Sequence, residues 1–293
     1  MSAHSSHMPA AAVLHRPAPL GRAGGRRALL AWIVVAALAL FAVAAAGIVF
    51  GTRAATADFS QANLAPSLVH PFGTDWMGRD MLARTLAGLS TSLGVGLVAA
   101  VASSLIALAL ALIAALGGRA ADAAVSWLID LVMGIPHIVL LVLVSYALGR
   151  GATGVLAGIA LTHWPSLARV LRAEILQLRS SPYLAASEAL GVSRARIALT
   201  HIVPHVLPQY LVGLVLLFPH AILHEASITF LGFGLSPEQP AIGVILSEAM
   251  GYLTAGAWWL AVFPGLALLA AVLLFDRIGS ALRPLVTPEE VQR

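Results

Sequence analysis

The sequence predicts an all-α membrane protein: a bundle of about six transmembrane helices with one cytoplasmic helical projection. Three observations carry that prediction. The 293 residues are 59% hydrophobic and only 10% charged, against roughly 45–50% and about 25% in a soluble domain. The mean hydropathy is +0.91. Apolar runs near the spanning length of about 20 residues recur between residues 28 and 275.

The elements follow in order. Residues 1–27 read as a disordered cytoplasmic tail rich in Pro, Ala and Ser, with His4, His7 and His15 solvated in it. The first span covers 28–50, behind Arg22, Arg26 and Arg27. Its apolar run exceeds the roughly 7–15 residues of a signal-peptide core, so it reads as a retained anchor. An extracytoplasmic loop follows over 51–84, and then a transmembrane core over 85–283. The second span lies within 85–118, a stretch without charge, and the third covers about 124–148, interrupted by Asp130 and Pro136. The fourth covers about 151–168, is short and holds His163 and Pro165; without it the count is five. The fifth covers about 209–231, the sixth about 255–275, and residues 284–293 form a cytoplasmic tail.

Composition removes several chemistries. Cys is absent, which excludes disulfides and thiolate catalysis, and all 17 basic residues are Arg. With no Lys there is no Walker A loop and no Schiff base. Placing the N-terminus in the cytoplasm puts thirteen Arg inside and leaves Arg53, Arg79, Arg84 and Arg150 outside. That is a positive-inside bias with both termini cytoplasmic. It accounts for the net charge of +4 without a nucleic-acid partner.

Two polar segments have internal order. In the outer one, His70-Pro71-Phe72-Gly73-Thr74-Asp75-Trp76-Met77-Gly78-Arg79-Asp80, Thr74 or Asp75 is placed to cap a helix starting near Trp76. In the inner one, over about 180–208, Ser181-Pro182 reads as N-cap and N1 of a short helix. Gly191 is its C′ residue. Ser193 caps a second helix over 194–203 that Pro204 limits. The small residues of the first helix suit close approach by another surface, and an amphipathic helix lying on headgroups fits equally.

These segments resemble the permease subunits of bacterial ATP-binding-cassette importers of the dipeptide, oligopeptide and nickel family. The likeness rests on Gly73-Thr74-Asp75 with Gly78-Arg79-Asp80, and on the run from Tyr183 to Ser193 with His201-Ile202-Val203-Pro204 and Leu207-Pro208. It also rests on Glu225 to Gly234 and on Asp130 with Pro136. It covers about residue 70 to the C-terminus. The inner run departs from the family pattern: Ala185 stands where a Glu is usual, Ser187 stands for an Ala, and Glu188 lies nearly a turn away.

The resemblance implies the type I importer permease fold. Tyr183, Leu184, Ala185, Ala186, Glu188, Gly191 and Arg194 would form the coupling surface for a separate ATPase. It implies no cofactor in this chain, with ATP and magnesium on two partner ATPase subunits or domains. A second permease subunit, an extracytoplasmic solute-binding protein and membrane lipid are the further partners. The setting is a bacterial inner membrane.

Ionisable groups in a span are functional by default. Asp130 is expected to pair with Arg119 or an Arg of the next cytoplasmic segment. Glu225 either packs at a permease–permease interface or lines the pathway. His220 and His224 share a helix face, a usable metal-ligand spacing, and with His137 and His163 would suit passage of a metal or its chelate. Interhelical hydrogen bonding is the plainer role for such histidines. Leu161-Thr162-His163-Trp164 resembles nickel-type members, which inclines the cargo to nickel or a metal chelate, with di- or oligopeptides as the alternative. A secondary transporter would show repeats, and none is seen. A zinc protease would need His-Glu-x-x-His, and His224-Glu225 is followed by Ile228 at the second His position.

Overall fold

The structure is a computed structural model that describes residues 22–286. His4, His7 and His15, with the rest of 1–21 and 287–293, lie outside the described residues. Among the described residues the regular structure is helical: α1 (Arg22–Val49), α2 (Gly51–Ala55), a 3₁₀ turn (Phe59–Gln61), α3 (Met81–Leu116), α4 (Arg119–Gly134), α5 (His137–Ala147), α6 (Ala152–Thr162) and α7 (Trp164–Arg179) come first. Then follow α8 (Pro182–Ala189), α9 (Arg194–Ile197), a π turn (Ala198–Ile202), α10 (Val203–Phe230), α11 (Ile242–Met250) and α12 (Trp259–Val286). The helix α1 begins at Arg22, so the last residues of the expected tail are helical, and α12 runs to Val286, past the start of the expected C-terminal tail.

Among the described residues four helices are long and apolar enough to cross a membrane, or five if α4 and α5 count as one span. The sequence suggested about six, and the difference lies in the third and fourth. The third is bent by 98° between α4 and α5. Pro136 has no N–H, and it pushes Ile135 into an extended conformation (φ −93°, ψ 136°). The fourth is divided at His163 (φ −93°, ψ −14°) into α6 and α7. Pro165 sits in the first turn of α7, where a missing donor costs nothing. The 11 residues of α6 are too few to span alone.

The long helix α3 organises the bundle. Its 36 residues extend about 54 Å, and Ala100, Ser103, Ser104, Ala107, Ala111 and Ala114 form a buried small-residue stripe on it. Such a stripe lets helix backbones approach closely where lipid gives no hydrophobic drive between helices. The approach is close: a Cβ on Gly96 would stand 2.6 Å from Ile222 of α10, and one on Gly47 of α1 would stand 2.2 Å from the Leu86 carbonyl oxygen. The Tyr210 hydroxyl meets Ser104 Oγ at 2.9 Å. With Ser104 beside Tyr210 and Gly96 beside Ile222, α10 runs antiparallel to α3.

The helix expected to end at Pro204 continues. The π turn at Ala198–Ile202 donates Val203 N–H to Ala198 O and shifts the ladder by one residue, so Pro204 falls in the first turn of α10. The result is one apolar helix over Arg194–Phe230.

Candidate functional site

Three regions hold the residues that the sequence singled out. The first is the loop before α3. No helix starts near Trp76. Asp80 is the N-cap of α3 and accepts from Ala83 N–H at 2.9 Å. Asp75 has another task. It is buried, and its Oδ1 accepts from the amides of Met77 and Arg79, both at 2.9 Å. Its Oδ2 takes Arg79 Nε at 2.6 Å and an Arg84 guanidinium nitrogen at 2.5 Å.

Glu248 of α11 closes this network, 3.0 Å from Arg84 and 3.3 Å from Arg79. The glycines of the two motifs follow from the same packing. Gly78 has φ +73°, and a Cβ there would stand 1.7 Å from Asp58 O; Gly73 has φ +72° and lies against the Trp259 ring. His70 bridges Asp80 (2.9 Å) and Gln61 (2.8 Å). At the rim, the Ser60 hydroxyl and amide hold the Asp58 carboxyl below its ordinary range.

The second region is a cleft of 610 Å³ between the breaks in the third and fourth segments and α10. Val132–Ile135, Pro136, Pro165 and Leu217 wall it, and His137, His163, His220 and His224 face it. It sits at the level of Gly96, near the middle of α3. Each break delivers one imidazole: His137 is the first residue after the Pro136 bend, and His163 is the hinge between α6 and α7. The rings of His137, His163 and His224 meet edge to face, with centroids 4.4, 4.6 and 4.8 Å apart. His220 lines the same cleft outside that trio. Glu225 does not line it. It is fully buried, accepts from Thr229 Oγ1 at 3.0 Å through Oε1, and leaves Oε2 without a partner.

Asp130 meets Arg169 at 2.9 Å on the surface, the pairing expected with the next Arg-bearing segment. Arg172 grips Asp122 with two bonds, and Arg179 donates to the Ala115 carbonyl at the end of α3. The helix α7 is thereby bound to α3 and α4.

The third region is α8 and the corner after it. Tyr183, Ala185, Ala186, Gly191 and Arg194 are exposed, and Leu184 is the buried anchor. The Glu188 side chain lies outside the described residues. Gly191 has φ +82°, the left-handed C′ geometry that the sequence called for. Ser193 caps α9 through Arg196 N–H. Ser181 stands at the N-cap position of α8 with Pro182 at N1, as expected, and its carbonyl accepts from Ala185 N–H at 3.3 Å; its Oγ is buried and makes no capping hydrogen bond among the described residues. Leu190 is 85% exposed and Leu199 70%.

The sequence carries no sign of Glu248 or Trp259, because each acts on residues more than 160 positions away in the chain.

Residues 107–288 match the family described as binding-protein-dependent transport system inner membrane component. A protein of Brucella suis named as a peptide transport system permease is 38% identical over 223 residues, 76% of this chain and 75% of that protein. A second from the same organism, named as a peptide permease, is 34% identical over 275 residues, 92% of this chain and 91% of that protein. The dipeptide transport system permease protein DppC of Bacillus subtilis is 29% identical over 232 residues, 79% of this chain and 72% of that protein.

Proposed function

This chain belongs to the family of binding-protein-dependent transport system inner membrane components, and on that premise we propose that it forms half of the translocation pathway of a peptide importer. The family membership makes it a permease subunit of an ATP-binding-cassette importer, a transport component in a membrane. The names of its relatives support di- or oligopeptides as the cargo, the alternative in the sequence reading.

The rest is proposed on the build of the chain. Two separate ATPase subunits or domains carry ATP and magnesium, since a chain without Lys has no Walker A loop. Their docking surface is α8 with the Gly191 corner, and the observation that carries it is the apolar exposure of Tyr183 and Leu190 on a short helix anchored by Leu184. A second permease subunit completes the pathway, and an extracytoplasmic binding protein delivers the solute. The positive-inside Arg distribution supports a cytoplasmic position for both termini, which goes with an even number of crossings.

Nickel or a metal chelate is the second reading of the cargo, and the histidine cleft is the observation that favours it. Cells expressing the whole operon, with and without this chain, decide between them. Uptake of labelled dipeptide that disappears with the chain is the expected result. Dipeptide uptake that is indifferent to the chain, with radioactive nickel uptake lost on its deletion and in the His220→Ala/His224→Ala double variant, overturns the peptide reading.

A further inference from the structure

We propose that His137, His163 and His224 form a three-nitrogen site for a borderline divalent transition-metal ion of the nickel, zinc and copper class. The site stands on the geometry of the cleft and does not depend on which solute the importer carries. The pair His220 and His224, expected from spacing alone, is not the ligand set. His220 lines the cleft but stays outside the cluster.

The three rings come from three separate elements, and each offers one nitrogen, all within 4.8 Å of one another. A metal with bonds of about 2.0–2.1 Å draws such donors to roughly 3.4 Å, so closure by up to about 1.4 Å is required. His163 Nε2 and His224 Nδ1 stand 3.2 Å apart, a ring-to-ring hydrogen-bond contact that metal binding would have to replace.

The hydrogen bonds around the trio fix where the ring protons sit. The Thr162 hydroxyl donates its one proton to Gly158 O at 2.9 Å. It can therefore only accept from His163, whose Nδ1 lies 3.2 Å away. That places the His163 proton on Nδ1 and a lone pair on Nε2. His224 Nδ1 stands 2.7 Å from the His220 carbonyl oxygen, which can only accept, so its Nε2 is also left as a lone pair. His137 Nε2 is buried and has no partner among the described residues. A metal-ligating histidine characteristically has its second nitrogen held by a carbonyl or another acceptor, which fixes the tautomer. Two of the three are held this way, and the third is an unpaired buried nitrogen of the kind a bound ion would satisfy. Imidazole donors suit nickel, zinc and copper and disfavour calcium or magnesium. Three ligands leave further coordination positions, to be filled from the cleft by water or by a donor carried on the cargo.

The test uses the full chain assembled with its partner permease and ATPases, purified without a histidine tag and stripped with chelator in nanodiscs. The background carries His4→Asn, His7→Asn and His15→Asn, which removes the tail histidines. Nickel and zinc are titrated, and cobalt serves as a spectroscopic probe. The proposal expects one ion per chain with a nitrogen-rich cobalt spectrum. His137→Gln, His163→Gln and His224→Gln should each weaken binding by roughly tenfold or more, and Thr162→Val less. His220→Gln should keep the stoichiometry. Absence of binding in the background protein overturns the proposal. So does binding that is lost in His220→Gln and retained in His137→Gln and His163→Gln. Should the variants fail to assemble, diethylpyrocarbonate labelling of the background protein answers the same question. Nickel should protect His137, His163 and His224 from modification, and equal labelling with and without nickel contradicts the site.

Discussion

Before the first turn of α3, Asp75, Arg79, Arg84 and Glu248 answer one another inside the chain, and the backbone of 58–81 is pinned by its own hydrogen bonds. About 54 Å away, past the other end of α3, α8 holds on through Leu184 and leaves Tyr183 and Leu190 exposed. The first region satisfies its own charges, with Phe59, Leu68 and Val69 exposed on it. The second has no such charge network and is held chiefly by one buried side chain. The contrast is between a loop locked by its own ion pairs and a short helix that rests on one anchor, the surface proposed above for ATPase docking.

That contrast yields a ranked set of outcomes for thermal stability of the chain in nanodiscs. Asp75→Ala should cost most. It removes the partner of Arg84, which is only 4% exposed, and loss of one partner of a buried pair costs about 3–5 kcal/mol. Survival of Asp75→Ala without loss would break the contrast at its stronger end. Gly78→Ala comes next. The positive φ alone costs about 1–2 kcal/mol, and the contact with Asp58 O adds to it, so 58–78 should become protease-sensitive.

Gly191→Ala meets no atom within 4 Å, so only the φ term of roughly 1 kcal/mol applies. A loss as large as that of Gly78→Ala would mean that the corner packs against more than the chain shows. Leu190→Asp should leave stability within about 0.5 kcal/mol and abolish solute-stimulated ATP hydrolysis by the assembled transporter. A Leu190→Asp variant that unfolds, or one that transports normally, would remove the reason for calling this surface a docking site.

Much of this was legible before any coordinates. The spans were read from apolar length, the Gly191 corner from local turn chemistry, and the Asp130 pairing from charge placement. All of these are set by residues near one another or by the cost of charge in lipid. The Pro136 break was visible as an interruption, though its bend of 98° depends on what the freed segment packs against. The cap of α3 was misplaced because Thr74 and Asp75 have suitable side chains for capping. Asp75 is claimed instead by Arg79 and Arg84, and Glu248, more than 160 residues from Arg84 in the chain, completes the network on the arginines. The histidine cluster shows the same limit. Helical spacing pairs His220 with His224, whereas two helix breaks bring His137 and His163 to His224.

The most direct test of the coupling surface is a photocrosslinking residue placed at Leu190 in the assembled transporter, with Leu68 as the control on the opposite end (102% exposed). The account predicts an ATP-sensitive crosslink from position 190 to the ATPase subunit and none from position 68. A crosslink from position 190 to lipid alone would contradict it, and would make α8 a helix lying on the membrane surface.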